Sequence, residues 1–422
     1  MNAGGRRRSL LAFAAVTSLF FAWGFITSNN DPLIVTLRTA FSLNYTAALL
    51  TQIVSFLANG LLSLPAAWLC SRIGSVDTIL GSLALMIFGC LAVVFSTDAN
   101  TFSPILGALF ILAAGFTGLQ VAANPLAADL GPPQRSHFRL NFAQAFNSLG
   151  VVLGVHFGSL VMLGDLSHQA TAPARSAILN SVDRAYLIMA ALLAILLILF
   201  LLLRRFLTNM EPDRLRPTPA GMFEALRSRW AVFGAFAIAL YVGAEVSIGS
   251  IMINFLNQSQ VLGLPFEVAG GYLANFYWGG ALCGRLVGTL LLTRLRADRL
   301  LAAFGMVAGA LCLTVVGGHG PIAGYAALAI GFFNSIMFPT IFSITLERSS
   351  VSQSATSGLL SAAILGGALL PLAVGTIADR FGLGLSFIVP LLAYAFIAAF
   401  ALAARGRVSN LPEPYLGVSP IP

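Results

Sequence analysis

Residues 10–38 read LLAFAAVTSLFFAWGFITSNNDPLIVTLR, an apolar run that carries Thr27, Ser28, Asn29, Asn30 and Asp31 in its second half with Pro32 directly behind. A helix that crosses roughly 30 Å of hydrocarbon takes about 20 apolar residues, and this run supplies them. A charge near the middle of such a span costs about 2.5–3.5 kcal/mol on insertion scales, so it usually faces a polar cavity on an ion or substrate path. Glu245 repeats the anomaly: it lies about fifteen residues into a later run, which is roughly mid-membrane at 1.5 Å per residue. Most other charges sit at the ends of apolar runs. The pattern is that of a transporter.

Similar runs recur to the end of the chain. The 422 residues are 58% hydrophobic and 9% charged, with a mean hydropathy of +0.89, a composition no soluble fold needs. Twelve spans are predicted, at 10–38, 45–71, 76–96, 103–128, 138–163, 183–206, 230–258, 267–293, 298–317, 320–347, 352–378 and 381–404, so the fold class is an all-α polytopic membrane protein. The longest polar break holds Asn209, Glu211, Pro212, Asp213, Arg214, Arg216, Pro217 and Pro219, a linker composition. It divides the chain into a six-helix half at 1–206, a cytoplasmic linker at 207–229 and a second six-helix half with a short tail at 230–422. Two similar halves suggest a parallel repeat around a central cavity. Superposing Pro125 of span 4 on Pro339 of span 10 brings Gln120 opposite Asn334.

Every basic residue of the Lys/Arg class is an arginine, which excludes lysine chemistry. Of the 23, only Arg38, Arg175, Arg184 and Arg380 fall on one side of the twelve-span order; the others, Arg285 among them, are assigned to the opposite side. The positive-inside bias then puts both termini in the cytoplasm. The net charge of +8 is dispersed over short loops with no soluble domain to organise it, so it reads as topology and no nucleic-acid partner is expected. Arg6, Arg7 and Arg8 ahead of an apolar stretch resemble a secretory or twin-arginine signal. That stretch runs past Phe25 into Asp31 without a convincing cleavage site, so it is taken as span 1. Cys70, Cys90, Cys283 and Cys312 have no paired spacing, and His137, His156, His168 and His319 show no ligand spacing, so no metal site or cofactor is expected. No nucleophile–base pair or output domain points to an enzyme or sensor.

The polar residues inside the spans are the candidate site. Pro32 removes a backbone donor and crowds the carbonyl four residues earlier, freeing groups for water, an ion or a sugar hydroxyl. Asp31 can bind a proton or, as the one possible metal contact, a sodium ion; the structural alternative pairs it with Arg38, two turns away. Span 5 opens with RLNFAQAFNSLG, where Asn141, Gln144 and Ser148 fall at i, i+3 and i+7 with Asn147 beside them. Amides that both donate and accept suit a polyhydroxylated ligand, although they also serve as glue between packed helices. Spans 7 and 8 add Glu245, Asn254, Asn275, Tyr277 and Trp278; an aromatic ring under a sugar's C–H face with amides at its rim makes a pocket. Glu245 either carries protons or orients helices.

Seven blocks in chain order resemble the fucose/glucose–galactose permease branch of the major facilitator superfamily: SNNDPL (Ser28 to Leu33), LQVAANP (Leu119 to Pro125), RLNFAQAFNSLG (Arg139 to Gly150), YVGAEVSIGS (Tyr241 to Ser250), FNSIMFPTIF (Phe333 to Phe342), SGLLSAAILGGALLP (Ser357 to Pro371) and LSFIVPLL (Leu385 to Leu392). The resemblance implies cation coupling for Asp31 and sugar contacts for Gln120, Asn141, Gln144 and Asn147. Fucose–proton permeases carry Glu where this chain has Gln120 and Asn where it has Ser28. Gln120 with GAEVSIGS is closer to the glucose/galactose and N-acetylglucosamine members. The superfamily's charged loop after span 2 is reduced to CSRIGS (Cys70 to Ser75), without the acid.

The expected protein is a secondary active importer of a hexose-type sugar, by proton or sodium symport through alternating access in the bacterial inner membrane. A facilitator or exporter of another small polar solute is the alternative on the same fold. Asp31 and Glu245 are the candidate coupling groups. Ser28, Asn30, Gln120, Asn141, Gln144, Asn147, Asn275, Trp278 and Asn334 are the candidate sugar contacts. Glucose, galactose, mannose or N-acetylglucosamine fit better than fucose, and a monomer in the bilayer is expected.

Overall fold

Backbone N–H and C=O groups in hydrocarbon must be satisfied within the chain, which leaves the helix as the solution for an open run of this kind. The computed structural model describes residues 3–99, 101–130, 136–164, 175–209, 222–292, 294–351 and 353–404, and all its elements are helical. Eleven helices are long and apolar enough to cross a membrane: Leu11–Phe41, Tyr45–Ile73, Ser75–Thr97, Phe102–Asn124, Phe142–Leu163, Arg175–Thr208, Arg229–Asn257, Ala297–Gly317, Gly320–Arg348, Gly358–Phe381 and Leu383–Ala403. In chain order these are spans 1–7 and 9–12. Span 8, at 266–292, is built of three consecutive helical stretches, and Asn275, Arg285 and its glycines make it less apolar than the rest. The chain is a multi-pass membrane protein with its helices in the expected order.

Two boundaries and one assignment differ from expectation. Span 6 starts at Arg175, ahead of the expected 183, because Asp183 is no terminus: it accepts a hydrogen bond from Thr97 Oγ1 at 2.8 Å while Ile178, Leu179 and Val182 are buried around it. Within the expected linker, Met222–Ala225 is helical and Ser228 caps span 7 by accepting from the Ala231 amide at 3.3 Å; residues 210–221 lie outside the described residues. Arg285, counted on sequence with the arginines of the cytoplasmic side, sits inside the helical stretch Gly279–Leu292 and so within the expected span 8.

The helices lose regular α geometry where polar residues crowd. Helix Ala3–Thr27 gives way at Ser28 and Asn29 to Asn30–Phe41. Pro32 has no amide to offer the Ser28 carbonyl, which instead accepts from the Asp31 amide at 3.3 Å, and the turn tightens. Thr27, Ser28 and Asn29 turn their side chains back onto the carbonyls of Trp23 and Phe25. Span 8 widens to a π-helix over Leu273–Trp278, span 10 breaks between Asn334 and Met337, just ahead of Pro339, and span 11 tightens over Ala363–Ala368. Such departures are tolerated at membrane depth where the backbone is buried in protein or lines a cavity.

Two apolar cores result. One is formed within spans 1–6 and the linker-side end of span 6, around Phe20, Leu83, Met86, Leu119 and Met189. The other gathers Ile248, Met252, Phe255, Tyr277, Phe304 and Tyr394 from spans 7–12, joined by Ile34, Val35, Ala48, Leu49, Val155 and Leu163 from the first six. Those six joining residues lie toward the ends of spans 1, 2 and 5 that point away from the termini. The same end is tied by Asp379 of span 11, whose carboxylate accepts from the amides of Tyr45 and Thr46 at 2.6 and 3.0 Å and from Thr46 Oγ1 at 2.6 Å. Arg38 adds a cation–π contact, 4.0 Å from the Tyr45 ring centre, and a 3.4 Å hydrogen bond to Asn254 Oδ1.

Span 1 reaches its position because span 5 offers it glycines at 150, 154 and 158, a spacing that lets two membrane helices meet backbone to backbone. A Cβ on Gly154 would fall 2.3 Å from both the Phe25 carbonyl oxygen and Ser28 Oγ. Gly154→Ala is therefore expected to destabilise the protein by about 1–3 kcal/mol through overpacking, whereas Gly107→Ala, with nothing within 4 Å, should be near neutral. Chemical unfolding of the detergent-solubilised variants measures the difference; equal behaviour of the two would show that spans 1 and 5 do not meet this way.

Candidate functional site

The tightened turn of span 1 presents Asp31 to three other spans. Its Oδ1 accepts from Gln52 Nε2 of span 2 at 3.3 Å, and its Oδ2 accepts from the Trp278 indole Nε1 of span 8 at 3.1 Å. Gln52 Nε2 also donates to Ser250 Oγ of span 7 at 2.9 Å. Asp31 and Ser250 are buried. Gly249 keeps the approach open, since a Cβ there would lie 3.0 Å from the Trp278 ring. The carboxylate thus joins both six-span groups through donors that carry no charge, and Arg38 is turned instead to Tyr45 and Asn254. The expected alternative of an Asp31–Arg38 pair is not formed.

A second cluster surrounds Glu245. Its carboxylate interacts with the Tyr241 hydroxyl and feels the charge of Arg285. Its backbone carbonyl accepts from the Tyr277 hydroxyl at 2.9 Å, and that hydroxyl in turn accepts from Asn334 Nδ2 at 3.1 Å. Tyr277 and Trp278 meet edge to face, with ring centres 5.1 Å apart, so the two clusters share a wall. The third link crosses between spans 5 and 8: His156 Nε2 lies 3.0 Å from Asn275 Oδ1, and Arg285 Nη1 donates to Ser148 Oγ at 3.1 Å.

The other expected contacts divide by what their side chains already hold. Asn147 Nδ2 donates to the Phe20 carbonyl at 3.1 Å, the interhelical bond weighed above as glue. Ser28 donates to the Phe25 carbonyl and is buried under Gly154. Asn334 is fully buried in the Tyr277 chain. Asn30 holds buried amide nitrogen and oxygen atoms with no protein partner, and Gln120 and Gln144 are half-buried. The Asn141 side chain lies outside the described residues. Gln52, Ser250, Tyr241 and Arg285 were missed by sequence reasoning: single polar residues in apolar runs, they carry no signal until the partners across the bundle are known.

An open groove of about 630 Å³ between spans 1 and 5 is lined by Phe13, Phe21, Phe142, Phe146 and Leu149, with Thr17 and Ser18. The two hydroxyls are spent on the carbonyls of Phe13 and Ala15, so the groove has little to offer a polyol. Polar side chains gather instead between Asp31, the span 5 stripe and span 8.

Comparison with known proteins agrees with this architecture. Residues 9–359 match the family model of the Major Facilitator Superfamily. A glucose/galactose transporter of Brucella abortus is 40% identical over 395 residues, covering 93% of each chain. The L-fucose-proton symporter of Escherichia coli is 30% identical over 435 residues, covering 97% of this chain and 96% of its own. The crystal structure of a major facilitator transporter, FucP, in the outward conformation superposes with a TM-score of 0.68 at 27% identity, over 95% of this chain and all of that one.

The hydrogen bond from Trp278 to Asp31 is open to a double-mutant cycle. A hydrogen bond to a charged group contributes about 1.5–3 kcal/mol, so Asp31→Ala and Trp278→Phe should couple by that amount in chemical unfolding. Asp31→Ala paired with Phe95→Ala, an exposed site on span 3, should be additive. Additivity in both cycles would mean that the indole does not hold the carboxylate.

Proposed function

The chain belongs to the major facilitator superfamily, and from that premise we propose that it imports a neutral hexose-type sugar together with a proton by alternating access. The observation that carries the reading is Asp31, a membrane-embedded carboxylate shared between span 2 and span 8. Residues 1–206 and 230–422 act as the two moving halves, with 207–229 as their tether. The core confined to spans 1–6, and a second core built mainly from spans 7–12 that takes in first-half residues at one end alone, support rocking of one half against the other about that end. Glucose and galactose are the favoured substrates, ahead of fucose, because the relative named for them is the more similar one and Gln120 stands where fucose permeases carry Glu.

A proton fits Asp31 better than a sodium ion does. Hard cations collect several oxygen ligands, whereas both Asp31 oxygens face N–H donors. The symporter relative is named for protons. Ionised, the carboxylate accepts from Gln52 and Trp278 at once; a proton on either oxygen turns that oxygen into a donor and loosens one of the two bonds. Proton loading and closure are therefore linked in one group. With both termini in the cytoplasm of a bacterial inner-membrane protein, as the arginine bias supports, the closed end tied by Asp379 faces outward. The described conformer is then the inward-open carrier after proton release.

Asp31→Asn keeps a side chain of the same size that cannot cycle a proton. In proteoliposomes loaded for counterflow, the variant should exchange labelled sugar yet fail to concentrate it against an imposed gradient. A 100 mV potential contributes about 2.3 kcal/mol per charge, close to fifty-fold accumulation, so the loss is large. Wild-type accumulation by a well-folded Asp31→Asn variant would refute the coupling role, and a wild type that exchanges without ever concentrating would identify a facilitator.

A further inference from the structure

Arg285, counted on sequence with the arginines of the cytoplasmic side, lies halfway along the helical stretch Gly279–Leu292 of span 8. A guanidinium at that depth faces protein or a watery cavity, never lipid alone. Its Nη1 donates to Ser148 Oγ at 3.1 Å, and the Ser148 hydroxyl donates to the Gln144 backbone carbonyl at 3.2 Å. Arg285 therefore reaches across from the second half onto the polar stripe of span 5. Of its five N–H donors, this is the single side-chain hydrogen bond formed among the described residues. The rest are available in a half-buried position.

Glu245 supplies the charge that such a site needs. It is held by Tyr241 and lies near enough to Arg285 for the two charges to act on each other, and its span is fixed by the Tyr277 hydroxyl on its carbonyl. Asp31, by contrast, meets only neutral donors. The two intramembrane acids thus stand in different company, one beside a cation and one without.

We propose that Arg285 is a sugar-positioning residue, donating from its guanidinium to a hydroxyl of the bound hexose against the span 5 stripe, and that Glu245 is its counter-charge and no part of the cation path. The ligand class is a neutral polyol, because the guanidinium donates to a hydroxyl on the span 5 stripe, the chemistry that a sugar hydroxyl also offers. Sugar arrival takes the guanidinium from Ser148, so that one hydroxyl bridges spans 5 and 8 where Ser148 and Arg285 meet in its absence. This inference rests on the sugar-import reading above, and makes Asp31 the sole acid of the coupling step.

The test is a panel of monodeoxy analogues of whichever hexose the wild type binds, titrated by calorimetry against full-length protein in detergent. The wild type should bind one analogue at least tenfold more weakly than the parent sugar. Arg285→Met should lose a similar factor for the parent and no longer distinguish it from that analogue. Where Arg285→Met fails to fold because Glu245 is left uncompensated, the double variant Arg285→Met with Glu245→Gln removes both charges and should show the same loss of discrimination. Glu245→Gln alone should weaken sugar binding while accumulation still follows the proton gradient. A uniform loss across the panel, or none, overturns the positioning role, as does a Glu245→Gln variant that exchanges sugar but cannot concentrate it. A wild type that binds no hexose refutes the import reading itself, and this inference falls with it.

Discussion

A carboxylate inside a bilayer must have donors, and the structure is arranged around giving Asp31 two of them. Two departures from regular helix and one close approach make this possible: the tightened turn ahead of Pro32 in span 1, the π-stretch that carries Trp278 in span 8, and the glycines of span 5 that let span 1 settle against it. Each costs local helix stability, and each is covered by protein on the neighbouring spans. The outcome is an acid whose hydrogen bonds cross between the two groups of helices, to Gln52 of span 2 and Trp278 of span 8.

The end of the bundle away from the termini is tied by chemistry of the same kind in a more accessible place. Asp379 accepts three hydrogen bonds at the start of span 2, satisfying amides that a helix N-terminus leaves without partners. The corresponding short loop after span 2, Cys70 to Ser75, has no acid with which to do this. Among the described residues, the end of the bundle away from the termini has an acid latch across the halves at Asp379.

The sequence exposed what deviates from its own background. Asp31 and Glu245 stood out because charges are rare in apolar runs, and Pro32 announced the break in span 1 through its missing amide. The helix order followed from hydropathy alone. Gln52, Ser250 and Tyr241 were illegible, since a single amide or hydroxyl in a membrane helix is ordinary and only its partner across the bundle gives it a role. Arg285 was counted only as a topology charge near the end of span 8, and the π-stretch over Leu273–Trp278 has no marker comparable to proline. Asn147 shows the limit of a stripe argument: helical spacing puts it beside Gln144, yet its amide is committed to the Phe20 carbonyl.

The central claim is that one carboxylate takes one proton for each sugar moved. The static-head accumulation of labelled glucose or galactose in proteoliposomes, with the membrane potential clamped to zero, measures this directly. One proton per sugar predicts about tenfold accumulation for each unit of imposed pH difference, because one unit corresponds to about 1.36 kcal/mol. An accumulation ratio that ignores the pH difference, rises about a hundredfold per unit, or follows a sodium gradient instead would contradict the account.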